Sequence, residues 1–486
     1  MVPISEAFPG PSHLITKEHK QAWDDPATLL TDFHVVLIST YDLGHQPFGL
    51  ASPAAWLREQ GATVDQLDLS QEALGKHEDV IRDASLIALH LPMHTATRIA
   101  ARAIPRLREL NNKAHLCAYG LYAPLNSDHL RALGVQTIIG GEFEGRLLAL
   151  AEGLHGNAGP QAGLQISHDR LAFLTPSRRG LPELNKYSKL VLPNGDQQVA
   201  GYTEASRGCK HLCRHCPIVP IYEGKFRVVQ RDVVLADIRQ QVEAGAQHIT
   251  FGDPDFFNGP THAIELVKAL HSEFPALTYD ATIKVEHLLQ QADLLPVLRD
   301  TGCAFVVSAV ESLDDRVLQL LDKGHTRADF LRVVQLFRDL GLALSPTFVA
   351  FHPWMSLASY EEFLMTIADL QLIENVQPIQ LAIRLLIPSC SRLLQLKEVE
   401  SIIGSFDQTS LSYPWKHSDP RVDSLQRELE RTIQFSVKLD YDRSTIFEYA
   451  WHLLQQAKGS KNEVLPTLPA LAARATIPYL TEPWYC

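Results

Sequence analysis

Three cysteines, Cys209, Cys213 and Cys216, stand four and then three positions apart in the stretch Ser206-Arg207-Gly208-Cys209-Lys210-His211-Leu212-Cys213-Arg214-His215-Cys216-Pro217. Three thiolates on one tight loop can each ligate one iron of a cubane cluster, and the fourth iron is then open to an incoming ligand. The alternative is a structural zinc site completed by His211 or His215, although no second ligand pair lies nearby. Cys117, Cys303, Cys390 and Cys486 stand singly, so the clustering speaks for metal and against a disulfide framework.

Other candidates sit where strands are predicted to end. In Phe251-Gly252-Asp253-Pro254-Asp255-Phe256, Gly252 permits close backbone approach, and Asp253 or Asp255 complements an ammonium group; the alternative is a plain Asp-Pro turn. Glu311 and Ser312 close the apolar run Phe305 to Val310, with Lys323-Gly324-His325-Thr326 beyond. Lys323 serves either a ligand or a helix C-terminus capped by Gly324. Lys284 and Glu286 mark another strand end. Arg384 lies inside the apolar run Leu381 to Ile387, where a charge needs a partner or an anionic ligand.

The elements that position these groups read as α/β throughout. After an irregular arm (1–30), short apolar strands begin with Phe33 to Ile38 and recur at Val64 to Leu69, Leu86 to Leu91, Ala114 to Tyr119 and Thr137 to Ile139, with helical stretches such as Ala54 to Gln60 and Thr95 to Leu110 between them. That alternation predicts a parallel, doubly wound sheet over 31–155, with ligands at the carboxyl ends of its strands. Residues 156–200 read as a linker. From 201 to 400 a second alternation runs through the cysteines and about six strand–helix units, the last strand being Ile379 to Leu386, and predicts a partial or full barrel with chemistry at its C-terminal rim. Residues 401–486 form a helical extension with a Pro- and aromatic-containing tail.

With 486 residues, 45% hydrophobic and 21% charged, the chain has ample material for several cores. The formal charge of −12 argues against a phosphate-tracking nucleic-acid surface and for a small-molecule substrate. Without a secretory leader or a long apolar run, the expected place is the cytoplasm, with no membrane partner.

Cys-x3-Cys-x2-Cys after an early strand, followed by strand–helix units, resembles the radical SAM superfamily. The resemblance covers about 200–400 and implies a [4Fe–4S] cluster on Cys209, Cys213 and Cys216 that cleaves S-adenosylmethionine (SAM) to a 5′-deoxyadenosyl radical, fed by an electron donor such as flavodoxin or ferredoxin. It also implies SAM contacts from Gly252, Asp253, Asp255, Glu311 and Ser312, and from Arg384 to the SAM carboxylate. The residue before the third cysteine, aromatic in that superfamily, is His215 here.

A doubly wound domain ahead of such a barrel is similar to the Rossmann-like cobalamin-binding domain of B12-dependent radical SAM enzymes. That resemblance implies cobalamin, and methyl transfer to a small molecule, with His45, Gly49, His94, Gly120 and Gly141 in the cofactor-facing loops. The Asp-x-His-x-x-Gly spacing fails, because Asp42, His45 and Gly49 are three and four apart, so no cobalt-ligating histidine is carried over. Rearrangement or alkyl transfer without methylcobalamin is the alternative enzyme reading, and a metal-binding or redox protein the non-enzyme one. The ending Tyr479-Leu480-Thr481-Glu482-Pro483-Trp484-Tyr485-Cys486, with Gly44-His45-Gln46-Pro47, Pro92-Met93-His94-Thr95 and Tyr122-Ala123-Pro124-Leu125-Asn126, resembles a small radical SAM family. That family's tail continues as Cys-Cys-Ala-Glu-Pro or Cys-selenocysteine-Ala-Glu-Pro, and the likeness implies a recoded codon after Cys486.

Overall fold

The computed structural model describes residues 29–156, 159, 163–459 and 477–481; most of the predicted arm and Cys486 lie outside them. Strands β1 (His34–Ser39), β2 (Thr63–Asp68), β3 (Leu86–His90), β4 (His115–Tyr119), β5 (Thr137–Gly141) and β6 (Gly163–Ser167) form one parallel sheet in the order 2-1-3-4-5-6. Helices α1 (Phe48–Glu59), α2 (His94–Leu110) and α3 (Glu144–His155) cover it. Alternate residues serve opposite faces: Val36, Ile38, Ile87 and Leu89 meet Ala96, Ala100 and Ile104 of α2, while Val35, Leu37, Leu86 and Ala88 meet Leu50 and Leu57 of α1 and Leu147 of α3. Burial on both faces explains the continuous apolar runs. The strand order reverses between β1 and β3, so Ser39 and His90 end at the switch point where such sheets hold ligands.

Helix α1 starts at Phe48 and not at Ala54. Pro53 inside it lacks the N–H that would bond the Gly49 carbonyl, and the Tyr119 hydroxyl donates to that carbonyl instead, at 2.8 Å.

The second sheet has the order β14-β13-β12-β11-β8-β7-β15. Its parallel strands are β8 (Gln197–Thr203), β11 (His248–Phe251), β12 (Thr278–Thr282), β13 (Cys303–Glu311) and β14 (Leu344–Phe348); β7 (Lys189–Val191) runs antiparallel to β8, and the tail strand β15 (Tyr479–Leu480) antiparallel to β7. Helices α4 (Arg231–Glu243), α5 (Pro260–Glu273), α6 (Arg327–Leu340) and α7 (Leu357–Asp369) share a core with these strands. A reciprocal Thr326–Asp329 capping box opens α6, and Gly341 at φ 65° closes it. The short pair β9 (Ser206–Gly208) and β10 (Phe226–Val228) brackets the cysteine loop. Helices α8 (Pro420–Lys438) and α9 (Arg443–Lys458) supply the α-rich extension.

Two expectations are corrected. The stretch 156–200 is not simply a linker: β6 extends the first sheet, and β7 with the start of β8 belongs to the second. The edge position of β6 leaves Leu164 and Ile166 exposed, which blurs its alternation in a Gly- and polar-rich setting. Ile379 to Leu386 is not a strand. Pro378 opens a 3-10 turn through Leu381, and only an isolated bridge, Phe351 to Arg384, follows. A proline removes a ladder donor, so the described barrel strands number five parallel, not six.

Candidate active site

The cysteine loop leaves β9 at the C-terminal rim of the second sheet. Cys209 is held by its N–H to the Lys225 carbonyl at 3.1 Å, and Cys216 by its N–H to the Cys213 carbonyl at 3.2 Å. Asn258 braces the loop entrance: its Oδ1 accepts from Lys210 N at 3.1 Å and lies 3.8 Å from Cys209 Sγ. Burial pushes the Cys216 thiol up to about 12, with Cys213 and Cys209 adding to the rise and Lys323 opposing it; Cys209 is raised by burial as well. Three clustered thiols, one buried and two half-buried, would repel one another as free thiolates and make a good donor set for a multivalent metal centre, so they fit an iron–sulfur cluster.

The two loop histidines have separate duties. His215 Nε2 lies 3.2 Å from Glu311 Oε1, the atom that also accepts from Lys323 Nζ at 3.2 Å. Burial alone would raise the Glu311 carboxyl, but Lys323 and His215 hold it well below the usual range. Glu311 sits in the left-handed region at φ 69°, a strained geometry for a residue with a Cβ. His211 Nδ1 lies 2.9 Å from Lys284 Nζ, and its ring packs 4.7 Å from His287. His287 Nδ1 is 2.7 Å from Asp255 Oδ2. Cys209, His211 and Asp255 have their ligand atoms within 4.8 Å of one another. A zinc ion there would leave Cys213 and Cys216 outside that trio.

Asp255 and Glu311 therefore flank the cysteines, and Ser312 lies beside Glu311 on a cavity of about 300 Å³ that His352 and Asp314 also line. Gly252 has no room for a side chain, since a Cβ would fall 1.9 Å from the Tyr202 hydroxyl. Asp253 accepts from Ala205 N at 2.9 Å and Ser206 Oγ at 2.5 Å, and burial pushes it up to about 7.

Arg384 is a correction. Its Nη1 donates to Asp423 at 2.7 Å, its Nη2 to the Trp415 carbonyl at 2.7 Å, and its guanidinium stacks 3.4 Å from the Trp415 ring. The partner its charge required is the C-terminal extension, not a SAM carboxylate. Arg384→Ala should lower stability by about 2 kcal/mol, from lost charged hydrogen bonds and cation–π contact, and leave SAM affinity unchanged; denaturant unfolding and equilibrium SAM binding check both.

The loops of the first domain divide similarly. A Cβ on Gly49 would lie 2.1 Å from the His90 ring, and one on Gly141, at φ 71°, 2.0 Å from the Ser167 carbonyl; Gly120 closes on Leu91. These glycines serve close packing. His94 Nε2 is 2.5 Å from the Ser410 carbonyl. His45 stacks on Tyr202 of β8 at 4.7 Å, and burial drops it to about 4. Among the described residues, Ser39 Oγ, His45 Nδ1 and His90 Nδ1 are buried without hydrogen-bond partners. Unpaired polar atoms at and beyond the ends of β1 and β3 fit a polar ligand at the switch point, which is where a cobalamin tail would need them.

Sequence reasoning missed Arg207. It is buried, forks onto Glu144 at 2.9 and 2.7 Å, reaches Glu204 at 2.6 Å, and stacks 4.7 Å from the Phe143 ring. Its place two positions before Cys209 was the available signal, but Glu144 and Phe143 come from another domain.

These two domains, one doubly wound and one a half-barrel carrying three cysteines at its rim, define the class of fold. Residues 203–368 match the family model of the Radical SAM superfamily, whose members are enzymes built on a [4Fe–4S] cluster and SAM. Curated relatives include tRNA-2-methylthio-N(6)-dimethylallyladenosine synthases of Klebsiella pneumoniae, 24% identical over 280 residues covering 54% of this chain and 55% of the relative, and of Chlorobium chlorochromatii, 26% identical over 195 residues covering 38% and 42%. The chain spans about half the length of the curated relatives it matches. Similar solved structures include the cobalamin-dependent SAM radical enzyme OxsB with aqua-cobalamin bound (14% identity, 91% of this chain and 73% of that one, TM-score 0.67). Another is the methyltransferase TsrM from Kitasatospora setae (15% identity, 70% and 71%, TM-score 0.56). Both share the fold.

Proposed function

We propose that the protein is a cobalamin-dependent radical SAM enzyme that cleaves SAM and methylates a small molecule. The observation that carries the reading is the three-thiol loop at the barrel rim, with Cys213 buried and Cys209 and Cys216 half-buried, flanked by Glu311, Lys323 and Asp255. The bound cluster would supply one electron to SAM, giving a 5′-deoxyadenosyl radical, and cobalamin would supply the methyl group. Cys209, Cys213 and Cys216 would hold the cluster. Lys323 and Glu311 would orient the SAM end nearest it, and Asp255 would accept from the SAM ammonium while His287 holds it in place. The first domain would hold the corrin at the ends of β1 and β3, an arrangement supported by the unpaired Ser39 and His90 atoms and by the OxsB-like domain order.

A one-electron donor of flavodoxin or ferredoxin type would reduce the cluster, and the six described cysteines, all unpaired, suit a reducing cytoplasm. Among the described residues, no helix is long and apolar enough to cross a membrane. The finer kinship with the Cys-Cys-Ala-Glu-Pro-tailed family rests on the sequence stretches alone.

The test is anaerobic reconstitution with iron and sulfide, then dithionite and SAM, with and without hydroxocobalamin. Deoxyadenosine formation and a bound-cobalamin spectrum support the reading. Iron incorporation without SAM cleavage sinks the radical chemistry, and SAM cleavage without cobalamin binding favours rearrangement or alkyl transfer. Stoichiometric binding of a tRNA would move the substrate to nucleic acid, against the −12 charge.

A further inference from the structure

One carboxylate of the first domain touches both flanks of the cysteine loop. Glu142 follows β5; its Oε2 accepts from Arg207 Nη1 at 3.3 Å, just ahead of Cys209, and its Oε1 accepts from the Tyr222 hydroxyl at 3.2 Å, just beyond Cys216. The contact is dry, because Glu142 is 1% exposed and Arg207 6%. Apolar packing backs it: Ile221 and Tyr222, on the single turn Val219–Tyr222, belong to the hydrophobic core of the first domain together with Leu91 and Tyr122. Behind Arg207, Glu144 fixes the guanidinium bidentately and in turn accepts from Ser52 at 2.5 Å. The barrel therefore does not hold the cysteine loop alone. Its two ends are tied to Glu142, just past the end of β5, at the rim where the first domain would receive its ligand.

We propose that Glu142 is a positioning residue that sets the placement of the cluster from the first domain, so that the loop after β5 and the cluster move as one unit. The inference rests on the cluster assignment above. A buried carboxylate shared by a guanidinium and a phenol is well suited to this role: losing it strands the Tyr222 hydroxyl and removes one of the acceptors of Arg207, and the strain falls on the segment between them, which is the cysteine loop. Its like-charged neighbours Glu144 and Glu204 leave Arg207 with other acceptors, whereas Tyr222 has Glu142 as its hydrogen-bonded carboxylate.

The experiment compares full-length reconstituted wild type, Glu142→Ala, Glu142→Gln and Asn111→Ala. Asn111 donates to the Ile81, Arg82 and Ala84 carbonyls, remote from the cysteine loop, so its loss weakens the first domain without touching the tie. Two readouts are taken: the rate of iron release to a chelator, and the electron paramagnetic resonance line shape of the dithionite-reduced cluster. Glu142→Ala should release iron on the order of tenfold faster, the loss of a charged buried hydrogen bond expressed as a rate, and show an altered line shape. Glu142→Gln, whose amide can accept from Arg207 and donate to the Tyr222 oxygen, should restore the wild-type line shape. Asn111→Ala should melt at lower temperature with the wild-type line shape. A Glu142→Ala cluster indistinguishable from wild type, or an Asn111→Ala spectrum altered as much, overturns the inference while the enzyme reading stands; a wild type that takes up no cluster overturns both.

Discussion

Cys213→Ala is expected to take up less iron and to form no detectable 5′-deoxyadenosine, with the fold intact by circular dichroism. Cys213 is the most buried thiol of the triad, at 7% exposure, and the two loop histidines are engaged elsewhere. His211 is turned toward Lys284, and His215 toward Glu311. A cubane that loses one of three protein thiolates has a second open iron, and the chelation geometry that SAM needs is gone. Alanine fills most of the thiol's volume, so the cost to stability is small and the effect is chemical. Iron analysis and chromatographic quantitation of deoxyadenosine after dithionite reduction check it. Wild-type levels in the variant would remove Cys213 from the cluster.

The second large effect is expected at Lys323. With its side chain 5% exposed and Glu311 at 11%, this is a buried ion pair, and truncating one partner of such a pair costs about 3–5 kcal/mol because a charge is stranded. Lys323→Met should destabilise the protein by that order. The double variant Lys323→Met with Glu311→Gln should recover most of the loss but not SAM binding. The sign with pH follows from the depressed Glu311 carboxyl: its contribution is complete above the ordinary glutamate value and fades as acid protonates it in the folded state. The gap between wild type and Lys323→Met therefore narrows in acid. Denaturant unfolding at neutral and acidic pH, with SAM titrations alongside, reads both outcomes; equal stability of wild type and Lys323→Met would show the pair to be solvated.

The strands and helices were legible because their signals are local. Period-two and continuous apolar runs marked β1, β3, β4 and β13 within a residue or two of their ends, and the cysteine spacing singled out the loop after β9. The failures have local causes too. Pro378 turned an apolar run into a 3-10 turn, and exposed edge residues hid β6 inside a supposed linker. Gly49, Gly120 and Gly141 looked like ligand cradles, yet each is small because a protein group already occupies the space beside it.

What the sequence determined by itself was the chemistry carried by short spacing: three thiolates close enough to share a metal centre, on a chain whose alternation builds two α/β domains. Only the tertiary structure decided which charges meet. Arg384 found Asp423 and Trp415, Lys323 met His215 across Glu311, and Glu142 reached both flanks of a loop more than sixty positions away. A buried charge must be paired, but its type does not say with whom. Packing chooses the partner by bringing remote segments into contact, and that information lies in the fold as a whole and not in any spacing along the chain.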